Sequence, residues 1–229
     1  MNFPAPIVFL VDDDASFLTS AARLLRASGF RVKAFSSAAE FLAERPVAAP
    51  GCVVVDLEMP GMSGIELQAA LAKTENPLPI VFLTGHGDIP SSVKAMRHGA
   101  EDFLTKLALK EELIAAVQRA MQRDAVEREQ RAHIRELQAR LDKLTSRDHE
   151  VLTHVLRGQL NKQIAADLGI DERSVKRHRA SVMSKLAVQS VAELSRLAHE
   201  ADLAGVAWPA GMIAPPPPPD NQSRPQAGW

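Results

Sequence analysis

Short apolar runs that stop at acids set the pattern of the first half of the chain. Gly51 to Asp56 (GCVVVD) is too short for a helix, rich in β-branched residues and closed by a carboxylate. That predicts a central strand of a parallel sheet, buried on both faces. Ile7 to Val11 (IVFLV) repeats the form and stops at Asp12-Asp13-Asp14. Phe30 to Phe35 alternates like a half-exposed strand, and Ile80 to Leu83 and Asp102 to Thr105 complete the set. Between them helical spacing returns: at Phe17, Leu18, Ala21, Leu24 and Leu25, after Ser37 with Glu40 three positions on, from about Ser63 to Lys73, from about Pro90 to His98, and onward from Lys110. Strand and helix in alternation predict an α/β domain built on a five-stranded doubly wound parallel sheet.

Beyond Lys110 the strand pattern ends. No proline or glycine falls between Lys110 and Leu144, so a long helical linker, or two abutting helices, is predicted. Leu113, Val117 and Met121 face the first domain; the apolar face then lapses from Asp124 to His133. Ile134, Leu137, Leu141 and Leu144 recur at spacings of three, four and three, a short seam that serves equally for dimerisation or for packing on the next domain. From Thr145 the pattern is helical throughout. Ser146 begins a helix carrying Val151, Leu152, Val155 and Leu156 that stops at Gly158; Asn161 caps a second with Ile164, Ala165 and Leu168 that stops at Gly169. Asp171 caps a third, with Val175, Val182, Met183 and Leu186 as its stripe. Helix, short turn, helix is a helix-turn-helix plan within an all-α four-helix domain, and Ser190 to Ala198 supplies the last helix. The domains expected are residues 1–123, a linker over 124–144, a helical domain over 145–205 and, from 206 to 229, a proline-rich tail that cannot bury a core.

Composition narrows the classes. Of 229 residues 46% are hydrophobic and 24% charged, ordinary for a water-soluble globular chain, and the net charge of -1 removes any whole-chain polyelectrolyte argument, so a nucleic-acid site must be local. A candidate is present: Arg173, Lys176, Arg177, Arg179 and Lys185 fall on the third helix of the helical domain with no acid among them, although that domain as a whole nearly balances acids and bases; charge alone fits a solvated basic face equally, and the helix-turn-helix frame tips the balance toward DNA. The single cysteine, Cys52, lies inside the central strand and reads as a small buried hydrophobe; no disulfide scaffold exists, which suits a reducing cytoplasm. The first residues lack a basic segment before their apolar stretch, and no apolar run approaches the roughly 18 residues of a membrane span. A cytoplasmic protein without membrane contact is expected.

The strand ends carry the candidate chemistry. Asp12 and Asp13, Asp56, Thr84 and Lys106 each follow or close a strand, where open parallel sheets bind ligands. Taken one at a time each has a plain explanation: Asp14 and Asp13 as helix caps, Asp56 in a turn, Thr84 as a cap, Lys106 as a solvated charge. Taken together, three carboxylates, a hydroxyl and an ammonium at one kind of position predict a pocket for a hard divalent cation, Mg2+ or Mn2+, and a transferred phosphoryl group.

At these residues the chain resembles a known family. Val11-Asp12-Asp13-Asp14, Val55-Asp56-Leu57-Glu58-Met59-Pro60-Gly61-Met62-Ser63-Gly64, Leu83-Thr84-Gly85-His86-Gly87-Asp88 and Asp102-Phe103-Leu104-Thr105-Lys106 resemble the flavodoxin-like receiver domain of bacterial two-component response regulators over roughly residues 5 to 123. By that resemblance Asp56 is the phospho-acceptor, with Asp12, Asp13, Asp56 and the backbone carbonyl of Glu58 as metal ligands. Thr84 is the hydroxyl that moves onto the phosphoryl group, Lys106 the ion-pair partner of that group and Phe103 the aromatic that swings inward behind the threonine. One departure stands out: the family's lysine usually precedes a proline, and here Leu107 follows. A cis peptide before a non-proline residue costs about 2.5 to 4 kcal/mol, so a trans bond, a displaced Lys106 and slow or weak phosphorylation are expected.

Leu144 to Leu152, Gly158 to Ala165 and Ser174 to Leu186 resemble the LuxR-type DNA-binding domain, and the whole chain a FixJ/NarL-type regulator. Gln163 and Asp171 stand where the family more often has Glu and Ser. The implied DNA-contacting set is Asn161, Lys162, Arg173, Ser174, Lys176, Arg177, His178, Arg179 and Lys185. The implied partners are a sensor histidine kinase, a pseudo-palindromic duplex, RNA polymerase and a second copy of the chain once phosphorylated. Two other readings differ in class. A constitutive DNA-binding regulator would follow from a displaced Lys106. A phosphatase of the aspartyl-phosphate kind would want a threonine where Pro60 stands and leaves the basic helix without use. No catalytic turnover beyond self-phosphorylation and dephosphorylation is expected.

Overall fold

The computed structural model describes residues 5–85 and 95–206. It divides between Gln130 and Arg131 into two compact units. In the first, five strands, β1 (Ile7–Val11), β2 (Arg31–Phe35), β3 (Gly51–Asp56), β4 (Ile80–Thr84) and β5 (Asp102–Thr105), pair in parallel in the order β2-β1-β3-β4-β5. Helices α1 (Ala15–Ala27), α2 (Ala38–Glu44) and α3 (Gly64–Leu71) connect them, and α4 (Lys110–Leu141) follows. Of the helix expected from about Pro90 to His98, residues 90–94 lie outside the described set and 95–97 are helical; His86 to Asp88 and the tail from 207 onward also lie outside it.

Alternation along the central strands explains the layers. Phe9, Val11, Val53 and Val55 point to one face, onto Phe35, Phe41 and Leu67; Val8, Leu10, Cys52 and Val54 point to the other, onto Ala21, Leu25, Leu113 and Val117. Every residue of β3 is buried, whereas β2, at the sheet edge, keeps Arg31 and Ala34 exposed. Burial pushes the Cys52 thiol far up, so it stays protonated and inert. Gly51 is obligatory: at φ +149° any Cβ would sit 1.8 Å from the Ile7 carbonyl oxygen.

Helix α4 is one continuous element, and its polar middle is not idle. Asp124 is buried, accepts the Gly51 N–H at 2.8 Å and the Arg128 Nε–H at 2.7 Å, while the other Arg128 nitrogens donate to the Ala48 and Ala49 carbonyls at 3.2 and 2.7 Å. The stretch without an apolar face is therefore held to the start of the central strand by charged hydrogen bonds.

In the second unit α5 (Ser146–Leu156), α6 (Asn161–Leu168), α7 (Glu172–Leu186) and α8 (Val191–Leu203) follow the end of α4. Leu141 and Leu144 belong to this unit's core, with Val151, Leu152, Ile164, Val175, Val182 and Leu186, and Ile134 packs against it. Leu137 is buried too, so the four-residue seam is covered within the chain itself. Among the described residues no helix is long and apolar enough to cross a membrane.

Candidate functional site: an acidic sheet rim and a basic helix

The order β2-β1-β3-β4-β5 changes direction between β1 and β3, and the carboxyl ends of those neighbours carry Asp12 and Asp56. One carboxylate oxygen from each of Asp12, Asp13 and Asp56 lies within 4.8 Å of the others. Asp12 and Asp56 are buried; Asp13 is exposed. Asp14 caps α1, accepting from the Ser16 and Phe17 N–H groups, so the third acid of the run is structural.

Lys106 corrects the expectation drawn from Leu107. Its backbone contains no cis peptide, yet its ammonium hydrogen-bonds Asp56 Oδ2 at 2.8 Å and Asp12 Oδ1 at 3.0 Å and lies 2.7 Å from Asp12 Oδ2. The Lys106 N–H is tied to the Thr84 carbonyl at 2.8 Å, and four methylenes are enough to span the rest. A desolvated carboxylate pair attracts the nearest flexible cation whatever residue follows it. Its Nζ also lies 4.8 Å from the centroid of Phe17, a contact the sequence reading missed; Phe17 stands three residues past the Asp14 cap, where the first turn of α1 faces the rim.

Burial raises the Asp12 carboxyl, and the Lys106 hydrogen bond only partly offsets this; burial would lower Lys106, but the bonds to Asp12 and Asp56 outweigh it and hold the ammonium charged. Asp12 Oδ2 is buried with the Lys106 ammonium as its close neighbour. Three carboxylates offering oxygens around one point, with a single ammonium against them, fit an oxygen-loving divalent cation. The Glu58 N–H donates to Asp56 Oδ1 at 3.3 Å, so the loop after β3 folds back over its carboxylate. Thr84 is buried at the end of β4 beside β3. Phe103 pairs with Phe82 in the sheet register, is half-buried, and has its ring centroid 6.2 Å from that of Phe82.

The second unit divides the set expected to contact DNA. Arg173, Lys176 and Arg177 are exposed on α7, and Lys162 is exposed on α6. His178 and Lys185 are instead turned onto the buried carboxylate of Asp148, at 2.9 and 2.6 Å. Arg179 donates to Asn161 Oδ1 at 3.0 Å, and Ser174 Oγ to Asp171 at 2.8 Å. The expected Asn161 cap is not formed: the N-cap position is Leu160, whose N–H is taken by Gln163 Oε1 at 2.8 Å, while the Asn161 side chain serves Arg179. Asp171 does cap α7, accepting the Ser174 N–H.

Residues 8–118 match the response regulator receiver domain, and residues 142–198 the bacterial regulatory proteins of the luxR family. TmoT, a response regulator of Ectopseudomonas mendocina, is 43% identical over 197 residues, 86% of this chain and 90% of its own. The regulator FixJ of Azorhizobium caulinodans is 41% identical over 208 residues, 91% of this chain and 97% of its own. The solved structure of the response regulator StyR superposes with a TM-score of 0.81 at 44% identity, covering 86% of this chain and all of that one. The chain belongs to the two-component response regulators that join a receiver domain to a LuxR-type helix-turn-helix domain, and it is a phosphorylation-dependent transcriptional regulator.

Proposed function

We propose that Asp56 is the residue that receives the phosphoryl group, from the phosphohistidine of a sensor kinase. A carboxylate oxygen of Asp56 attacks phosphorus, the phosphorus–nitrogen bond breaks, and the imidazole leaves with the electron pair, giving an acyl phosphate. The observation that carries this is the convergence of Asp12, Asp13 and Asp56 on one point with the Lys106 ammonium across two of them. Asp12, Asp13, Asp56 and the Glu58 carbonyl are the groups that would hold a divalent cation, Mg2+ or Mn2+, which supplies neutralisation of the charge on the transferring oxygens. Lys106 and the Thr84 hydroxyl donate to those oxygens once they are in place, and Phe103 follows Thr84 into the space left behind it. An inward Lys106 supports this over constitutive DNA binding and removes the ground for slow phosphorylation.

Phosphorylation then favours a dimer, so that two copies of α7 meet half-sites of a pseudo-palindrome one helical turn apart and contact RNA polymerase from there. Arg173, Lys176 and Arg177, with Lys162, carry the phosphate and base contacts. The setting is the cytoplasm, and no turnover other than acquisition and loss of the phosphoryl group is assigned.

Reduction of the acyl phosphate with borohydride tests the assignment residue by residue. After incubation with acetyl phosphate and Mg2+, the peptide containing Asp56 should carry homoserine at position 56. Homoserine at position 12 or 13, or at none, would reject it.

A further inference from the structure

One carboxylate in the helical unit grips the recognition helix along a whole flank. Asp148 sits in the first turn of α5, is only 1% exposed, and receives the Thr145 N–H at 3.2 Å. Its Oδ1 faces His178 Nδ1 at 2.9 Å; its Oδ2 takes the Lys185 ammonium at 2.6 Å and the Ser181 hydroxyl at 3.4 Å. Positions 178, 181 and 185 are spaced by three and four, so all three teeth project from one side of α7. On another flank Arg179 is tied to Asn161 of α6 at 3.0 Å. Two neighbouring helices thus fix the rotation of α7 about its own axis. Arg173, Lys176, Arg177, Ala180 and Ser184, again at helical spacing, form the stripe that remains exposed.

The charge on Asp148 is secure. Burial would raise its carboxyl, but the bonds from Lys185, His178 and Thr145 together outweigh that and hold it well below the usual carboxylate range. An ionised carboxylate only accepts, so the imidazole nitrogen facing it carries the hydrogen.

We propose that Asp148 is a positioning residue for sequence reading: it sets the roll of α7 and fixes His178 with its hydrogen on Nδ1, so that DNA is read by the Arg173-Lys176-Arg177-Ala180-Ser184 stripe and not by His178 or Lys185. This rests on α7 being the DNA-contacting helix. Basic residues along a recognition helix are then of two kinds. Those on the stripe meet nucleic acid, and those on the flank meet Asp148.

Selection from a randomised duplex pool by the full-length phosphorylated protein, followed by sequencing and salt titration on the selected site, separates the two kinds. Lys176→Met or Arg177→Met should alter base preference at a defined position or lower the slope of log affinity against log salt by about 1. Lys185→Met should leave the salt slope unchanged, because its ammonium meets Asp148 and not a phosphate, while lowering the ratio of specific to non-specific affinity in the same direction as Asp148→Asn, since one tooth of the grip is lost. His178→Asn, which keeps a donor near the Nδ1 position and deletes the outer ring edge, should return the parental consensus. Asp148→Asn should lower the ratio of specific to non-specific affinity by roughly tenfold, the scale of one mismatched base pair, without weakening non-specific binding. Helical circular dichroism monitors folding, and should Asp148→Asn unfold, Lys185→Met and His178→Asn decide the matter. A consensus shifted at one position by His178→Asn, or a salt slope reduced by Lys185→Met, overturns the proposal. If Lys176→Met and Arg177→Met are also silent, α7 is not the DNA-contacting helix, and the reading beneath the proposal falls with it.

Discussion

Lys106→Met is the substitution whose consequence follows most directly from the rim geometry. The side chain of Asp12 is 1% exposed, that of Asp56 9% and that of Lys106 19%, and one ammonium lies within 3 Å of both acids. Removing one partner of a buried ion pair costs about 3–5 kcal/mol, because a desolvated charge is left behind. Here Lys106 is one-fifth exposed and Asp12, already raised by burial, can take up a proton, so the expected cost at neutral pH is about 2–3 kcal/mol. The pH dependence has a definite sign. Without the ammonium the folded Asp12 rises further above its unfolded value, so the variant's deficit shrinks as pH falls toward about 4 and grows as pH rises. Mg2+ substitutes for the lost charge, and the deficit should narrow as it is added. Asp56→Asn combined with Lys106→Met should cost at least about 1 kcal/mol less than the sum of the two, since the second change removes a charge the first has stranded. Native-state hydrogen exchange of the β3 amides reads the opening free energy of this unit alone, with and without chelator. A deficit below about 0.5 kcal/mol, the size of an ordinary surface change, that ignores both pH and Mg2+ would refute the reasoning.

Three further outcomes are expected. Gly51→Ala forces a Cβ to within 1.8 Å of the Ile7 carbonyl oxygen in a backbone region closed to L residues, and should destabilise the first unit by about 3 kcal/mol or more, read from the same β3 amides. Arg128→Met removes a charged donor from the buried Asp124 carboxylate and frees two carbonyls; faster amide exchange around Asp124 and Arg128, by about 2 kcal/mol or more, is the expected signature. Asp148 has a folded carboxyl below its unfolded value, so its contribution is complete above about pH 4 and is lost as pH falls below that; the acid limb of stability for the helical unit should be shallower in Asp148→Asn than in the parent.

Much of this was legible along the chain because parallel strands buried on both faces announce themselves as unbroken apolar runs. Val8 to Val11 and Cys52 to Val55 did so, and the acids closing them fell at the sheet rim as expected. The Ser37 cap, with Glu40 three positions on, and the Asp171 cap are local signals, complete within four residues. What stayed hidden depends on long polar side chains whose partners are distant in sequence. Lys106 reaches carboxylates 94 and 50 positions away, and no local pattern tells that a lysine before leucine turns inward. His178 and Lys185 read as basic groups on the third helix when only charge is counted; their hydrogen bonds to Asp148, 30 and 37 positions earlier, carry no local signal. Asp124 and Arg128 lie in a stretch that reads as faceless because hydrogen bonds to the backbone at and just before the start of β3 leave no hydrophobic period. Asn161 shows the same limit at short range, where Gln163 and Arg179 compete for the groups a cap would use.

Intact-protein mass after incubation with acetyl phosphate and Mg2+, for the parent and for Asp56→Asn side by side, tests the central claim most directly. The account predicts one added phosphoryl group in the parent and none in Asp56→Asn. An unmodified parent, or an equal gain in the variant, would contradict it.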